Sequence, residues 1–129
     1  MVGGAQGRLS IVNESDARDL LYLRSERVCE RCGRRRATNA HHRRAFGRIW
    51  TPENLLDLCG SGTTGCHGFV TCEEVALSRD YGWVVRKDWD PLWLPTLVWS
   101  RWVYLTRDGR TVPVRDASKL PLPAGGFPK

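Results

Sequence analysis

Apolar positions in this chain fall into short clusters rather than one long amphipathic stripe. In SDARDLLYLRSER the leucines follow an acidic start and precede arginines, the charge order a helix dipole favours. The spacing predicts a helix from Ser15, with Ser15 as N-cap and Leu20, Leu23 and Leu21 turned to the core. Residues 37–44, ATNAHHRR, read as a short strand. Phe46 to Trp50 reads as a loop or second strand, turning at Gly47. Thr51 and Pro52 supply an N-cap and a first-turn proline, so ENLLDL is expected to be a short helix ending near Gly60. The loop GSGTTG leads into a further helix from Cys66 to about Tyr81, stopped by Gly82.

The C-terminal part has a different pattern. Residues 83–105 are rich in Trp, Val and Leu and are punctuated by Pro91 and Pro95. VWSRWVYL reads as a strand, Arg107-Asp108-Gly109-Arg110 as a turn, and TVPVR as the returning strand of a hairpin. Gly-rich residues 1–9 and the closing KLPLPAGGFPK are expected to be loose ends. No repeat or linker divides the chain, so 1–129 is read as one domain, small enough to benefit from a structural metal.

Charge sharpens this picture. The net charge is +6, and residues 24–48 hold nine arginines against two glutamates, so the remainder sums to −1. A basic segment of that density suits a polyanion, most simply nucleic acid. No apolar run reaches membrane-spanning length and the N-terminus lacks a signal-type apolar core, which points to a soluble cytoplasmic chain.

The same segment carries the candidate chemistry. Five cysteines without an export signal argue for metal ligation over disulfides. Cys29-x2-Cys32 is a zinc-knuckle spacing, and Cys59-x6-Cys66 supplies a second, wider pair across a flexible GSGTTG loop. Cys72 is left over as a partly buried thiol, with substitution for Cys66 as the alternative. All three histidines fall between His41 and His67. Neighbours on a strand face opposite ways, so His41 and His42 suit a division of labour, one ligating a metal and one moving a proton. His67 follows a zinc cysteine, whose clip would anchor its backbone. Trp50 is open to stacking on a base or, preferably, to packing in the core. Trp83, Trp89, Trp93, Trp99 and Trp102 are expected to glue the C-terminal hairpin to the rest.

The order CxxC, HH, ENLL-x-LC, CHG resembles the HNH endonucleases of the His-Me finger class, in particular small phage and actinobacterial members with a four-cysteine zinc site. The likeness spans about residues 27–83, with NLLDLCGSGTTGCHG its most specific part. It implies an α+β fold: a zinc-stabilised ββα-metal core with an N-terminal helix and a C-terminal hairpin extension over about 84–118. The strand partnering His41/His42 is then expected near Arg48–Trp50, and the helix carries His67. By the motif's order, His42 is the general base and His41 and His67 are ligands of a catalytic divalent ion such as Mg2+ or Mn2+. Asn54 either joins those ligands or fixes the base's loop. Cys29, Cys32, Cys59 and Cys66 hold structural zinc. The implied activity is hydrolysis of DNA phosphodiester bonds, which needs an activated water and neutralisation of the phosphate. Arg34, Arg35, Arg36, Arg43, Arg44 and Arg48 are the expected phosphate contacts. Phage packaging proteins are the partners the resemblance suggests. The rival reading is a non-catalytic zinc-finger module that binds nucleic acid.

Overall fold

The computed structural model describes residues 13–121. It is a small mixed α+β domain with three helices and two small sheets. No helix among the described residues is long and apolar enough to cross a membrane.

Helix α1 spans Glu14–Ser25, and its cap is Asn13, whose side chain accepts from the Asp16 amide at 2.8 Å. The expected cap at Ser15 therefore lies inside the helix. Its buried face is Ala17, Leu21 and Ser25 at four-residue spacing, while Leu23 is 76% exposed. Leu21, not Leu23, is the core leucine, because the buried stripe runs on to Ser25 and its bond to Asp57.

Strand β1 (Asn39–His42) pairs antiparallel with β2 (Leu55–Leu58), with His41 opposite Leu56 and His42 opposite Leu55. The partner of the histidine strand is thus the LLDL segment rather than Arg48–Trp50, and ENLLDL is not a helix. Only Pro52–Asn54 makes a single 310 turn before the chain extends. The physical reason is burial on both faces. Leu56 and Leu58 enter the main core, while Leu55 joins Ala17 and Leu21 beneath α1. A continuous apolar run of this length is what a strand covered on both sides requires, and periodicity alone does not separate it from a helix turn.

Helix α2 (Gly65–Gly68) opens the segment expected to be helical from Cys66 to Tyr81. It widens into a π-type turn at Phe69–Glu73, breaks at Glu74, and resumes as α3 (Val75–Asp80). Gly68 leaves α2 no room for a side chain, since a Cβ there would lie 2.4 Å from the Thr63 carbonyl carbon.

The second sheet has the order β3-β4-β5, from Thr96–Val98, Arg101–Leu105 and Thr111–Pro113. VWSRWVYL is therefore two strands, not one. Trp99 and Ser100 form the turn between them, both with positive φ, at 49° and 67°. Such hairpin turns normally carry Asn or Gly; here the Trp99 indole donates to the Cys29 carbonyl at 2.9 Å and anchors the bend. The expected Arg107–Arg110 turn joins β4 to β5, with Gly109 at φ 81°.

Trp83 and Trp102 are buried in the main core beside Leu97, Val103 and Leu105. Trp89, Trp93 and Trp99 are 55%, 72% and 40% exposed; of the five tryptophans expected to glue the hairpin to the rest, Trp83 and Trp102 do so from the core and Trp99 through its bond to Cys29. The extension is also held by a charge. Arg43 is 1% exposed, and its guanidinium donates to the carbonyls of Gly82 and Glu53 at 2.7 Å and of Pro91 and Leu94 at 3.2 Å. It is a cross-link between the strand end and the extension, not a phosphate contact. Burial pushes it down to about 9.

Replacing that guanidinium leaves buried carbonyls without donors. Arg43→Met is expected to destabilise the fold by about 3 kcal/mol or more. Urea unfolding checks this, and a change below about 0.5 kcal/mol would remove Arg43 from this role.

Candidate metal centre and histidine cleft

Cys29 and Cys32 lie on the tight turn after α1, Cys59 at the end of β2 and Cys66 in the first turn of α2. Their four sulfurs lie within 4.8 Å of one another. Thiolates at about 2.3 Å from zinc stand about 3.8 Å apart in a tetrahedron, so the donor set fits one such ion with little adjustment. Among the described residues no other His, Cys, Asp or Glu group of three converges in this way. Cys72 stands outside the cluster. It is exposed rather than partly buried, and its thiol donates to the Gly62 carbonyl at 3.2 Å.

Close backbone packing shapes the second cysteine pair. Gly60 has φ 88°, and a Cβ there would lie 2.1 Å from the Thr64 oxygen. The Cys66 amide points at the Cys59 sulfur at 3.4 Å, and the His67 amide donates to the Cys59 carbonyl at 3.0 Å. The bond to Cys66 pushes the Cys29 thiol up to about 12, and Cys66 is drawn down first by that bond and then by Arg31. Arg31 was not singled out in the sequence. Its guanidinium donates to the Cys66 sulfur at 3.2 Å and lies over the Phe69 and Trp83 rings at 3.8 and 4.8 Å. Four thiolates around a divalent ion carry a net −2, which this cation partly offsets.

The strand alternation splits His41 from His42. His41 is on the Leu56 face, where its ring meets His67 at 5.3 Å between centroids. Its Nε2 is 2.8 Å from the Trp83 carbonyl, which fixes the proton there and leaves Nδ1 with a lone pair. A metal-ligating histidine is oriented in the same manner, by giving its other N–H to a carbonyl. His67 Nδ1 is buried without a partner. His42 is on the Leu55 face, edge-on to Trp50 at 4.4 Å, and its Nε2 is also buried without a partner. Trp50 thereby packs beside a histidine and under Arg18.

Burial holds His41 down to about 4. His42 is also held at about 4, first by burial and then by Arg48 and Arg18, and burial lowers His67. All three rings are neutral at pH 7, the state that ligates metal or accepts a proton.

Asn54 is committed to the loop between β1 and β2. Its Oδ1 accepts from the Arg44 amide at 2.8 Å, and its Nδ2 donates to the Arg44 and Ile49 carbonyls. Of its two expected roles it takes loop fixation and is not placed as a metal ligand.

His41 and His42 both line a cavity of about 370 Å³ whose charged lining residues are Arg43, Arg79, Arg86 and Lys87, with no Asp or Glu. His67 is not among its lining residues. Arg79, Arg86 and Lys87 escaped the sequence reading, since Asp80, Asp88 and Asp90 beside them cancel the local charge. Of the arginines that reading chose, Arg48 lies near enough to lower His42, and Arg44 bonds to carbonyls of Lys87 and Phe46. Arg35 and Arg36 are exposed on the knuckle side, and Arg34 lines a separate cavity with Cys32 and Trp99. The structure does not bring these three to the histidines.

Compared with protein-family models, curated proteins and solved structures, the chain matches none.

Two outcomes follow. Substituting Ser for Cys29 or Cys59 is expected to lower bound zinc from about one equivalent and to melt the domain, read by metal analysis with circular dichroism; a folded, zinc-free variant would contradict the clip. For His41 the unfolded state binds a proton below about pH 6.5 and the folded state does not until about 4. Its stabilisation is complete above pH 6.5 and is lost as the pH falls, by about 2 kcal/mol at pH 5. His41→Gln should flatten the fall in stability between pH 6.5 and 5 by that amount; parallel curves would show that this ring is not responsible.

Proposed function

We propose that the chain is a metal-dependent endonuclease of the HNH type that hydrolyses DNA phosphodiester bonds. The observation that carries this reading is the cleft itself. His41 and His42 line a cavity whose charged lining residues, among those described, are all cationic. Such a lining attracts a phosphodiester and repels carboxylate substrates.

The order strand, strand, helix, with paired histidines on the first strand and His67 on the short helix that follows, supports reading this region as a ββα-metal core. His41 and His67 are the residues that would hold a catalytic divalent ion. When bound, such an ion supplies charge neutralisation at the phosphate and help for the departing alkoxide. His42 accepts the proton of the attacking water at Nε2, the atom that has no partner within the protein. The hydroxide oxygen bonds to phosphorus, and the P–O bond to the leaving sugar oxygen breaks. Arg79, Arg86 and Lys87 hold the neighbouring phosphates. Asn54 keeps the loop after His42 in place and so positions the base.

One observation favours the rival reading, a non-catalytic zinc-finger module. His41 and His67 have no third His, Cys, Asp or Glu beside them among the described residues, and the Asn54 amide is already spent. The two readings separate in a plasmid-nicking assay run with Mg2+, Mn2+ and Ni2+. The nuclease reading expects cleavage that depends on the added ion and falls by about 10²-fold or more in His42→Ala, with zinc content and DNA binding retained. Equal cleavage by that variant would remove the proposed base, and no cleavage with any ion would favour the binding module.

A further inference from the structure

Beside the histidine cleft lies a second cavity of about 370 Å³, lined by Arg44, Ile49, Lys87 and Trp89 among others. Lys87 lines both cavities. Two aromatic rings stand exposed along this route, Phe46 at the edge of the histidine cleft and Trp89 in the second cavity, at 61% and 55%. Between them Arg44 lies over the Phe46 ring at 5.1 Å and donates to the Lys87 carbonyl at 2.8 Å. Its N–H groups go to carbonyls, so its charge remains uncancelled. Among the described residues no carboxylate is within ion-pair distance of Arg44, Arg86 or Lys87. Of the acids lining the second cavity, Glu53 is paired with Arg107 at 2.8 Å, while Asp88 and Asp90 keep their charges, Asp90 also capping the Leu92 amide at 2.9 Å.

We infer that the route from Phe46 through Arg44 and Lys87 to Trp89 is a track for an unpaired nucleic-acid strand leading to the histidine cleft. The sequence of chemistry along it is ring, cation, cation, ring. That alternation matches a strand whose bases are free to stack and whose phosphates need neutralising. A duplex offers no base faces, because each is already stacked, and it would meet Phe46 and Trp89 only by being wedged open. What sets these two rings apart is the Arg44 and Lys87 cations between them, which suit a partner carrying both bases and phosphates. The inference rests on the proposed nuclease reading for its direction, toward the cleft, but not for binding itself.

The test uses the full chain, zinc-loaded, in a His42→Ala background so that the probe stays intact. Fluorescence anisotropy at fixed salt compares a labelled oligo-dT strand with a hairpin duplex of equal nucleotide count. The single strand is expected to bind more tightly. Phe46→Ala and Trp89→Ala should each weaken it by about 5- to 100-fold, while changing duplex affinity less than about twofold. Lys87→Gln should weaken both probes and reduce the slope of log affinity against log salt by about one. Both aromatic positions are exposed, so thermal midpoint and zinc content should match the parent and exclude misfolding as the cause. Unchanged single-strand affinity in both aromatic variants overturns the track. So does a patch that proves to be a protein interface, seen as parent self-association in sedimentation that Trp89→Ala abolishes without altering oligonucleotide binding. Failure of the nuclease reading looks different: the His42 protein cleaves nothing with any ion, whatever the binding data show.

Discussion

Convergence of four sulfurs is the constraint on which the rest of this fold depends. The two loops that bring them together are rich in residues with poor intrinsic order, and β1 and β2 are only four residues long. A domain of this size has little apolar area to offset the entropy of ordering such loops. One ion bound through all four thiolates would supply that free energy and couple it to folding. The same clip places His67, because its amide is bonded to the Cys59 carbonyl and its ring then meets His41. An ion held by the four sulfurs would thus couple strand pairing to the placement of His67 beside His41.

Around the clip, buried charge does work that apolar contacts do elsewhere. Glu30, between the first two cysteines, is fully buried and takes both Arg24 and the Asp57 amide at 2.8 to 2.9 Å. Asp57 in turn takes Ser25 and Arg27. This polar network ties α1, the cysteine turn and β2 together beside the apolar contact of Leu21 with Leu55. Arg43 performs the same service on the opposite side for the extension. Networks of this kind are costly to leave half-satisfied, so they specify one arrangement more sharply than they stabilise it.

The sequence made the cysteine set legible because zinc imposes a local spacing that survives without tertiary information. The four cysteines converge, and Cys72 stands apart from them. Secondary structure was less legible wherever tertiary burial overrode local preference. LLDL reads equally as a helix turn or as a strand buried on both faces, and only the two cores flanking it decide. Trp99-Ser100 carries no turn signal, since its left-handed backbone is maintained by an indole bond to Cys29, distant in sequence. Arginines were the least legible. Arg43 and Arg44 share one dipeptide, yet one is sealed under four carbonyls and the other lies half-buried at a cavity wall. Three of the cations lining the histidine cavity, Arg79, Arg86 and Lys87, come from a stretch whose acids hide them in any charge sum.

The central claim is that His41 and His67 form a second, weaker metal position beside a phosphodiester, separate from the sulfur clip. Anomalous diffraction from crystals grown with zinc, manganese and an uncleaved oligonucleotide addresses it directly. The account predicts a zinc peak among the four sulfurs and a manganese peak between the two imidazoles, with the oligonucleotide backbone beside it. A map with density only at the sulfurs, and both rings free of metal while the oligonucleotide is bound, would contradict it.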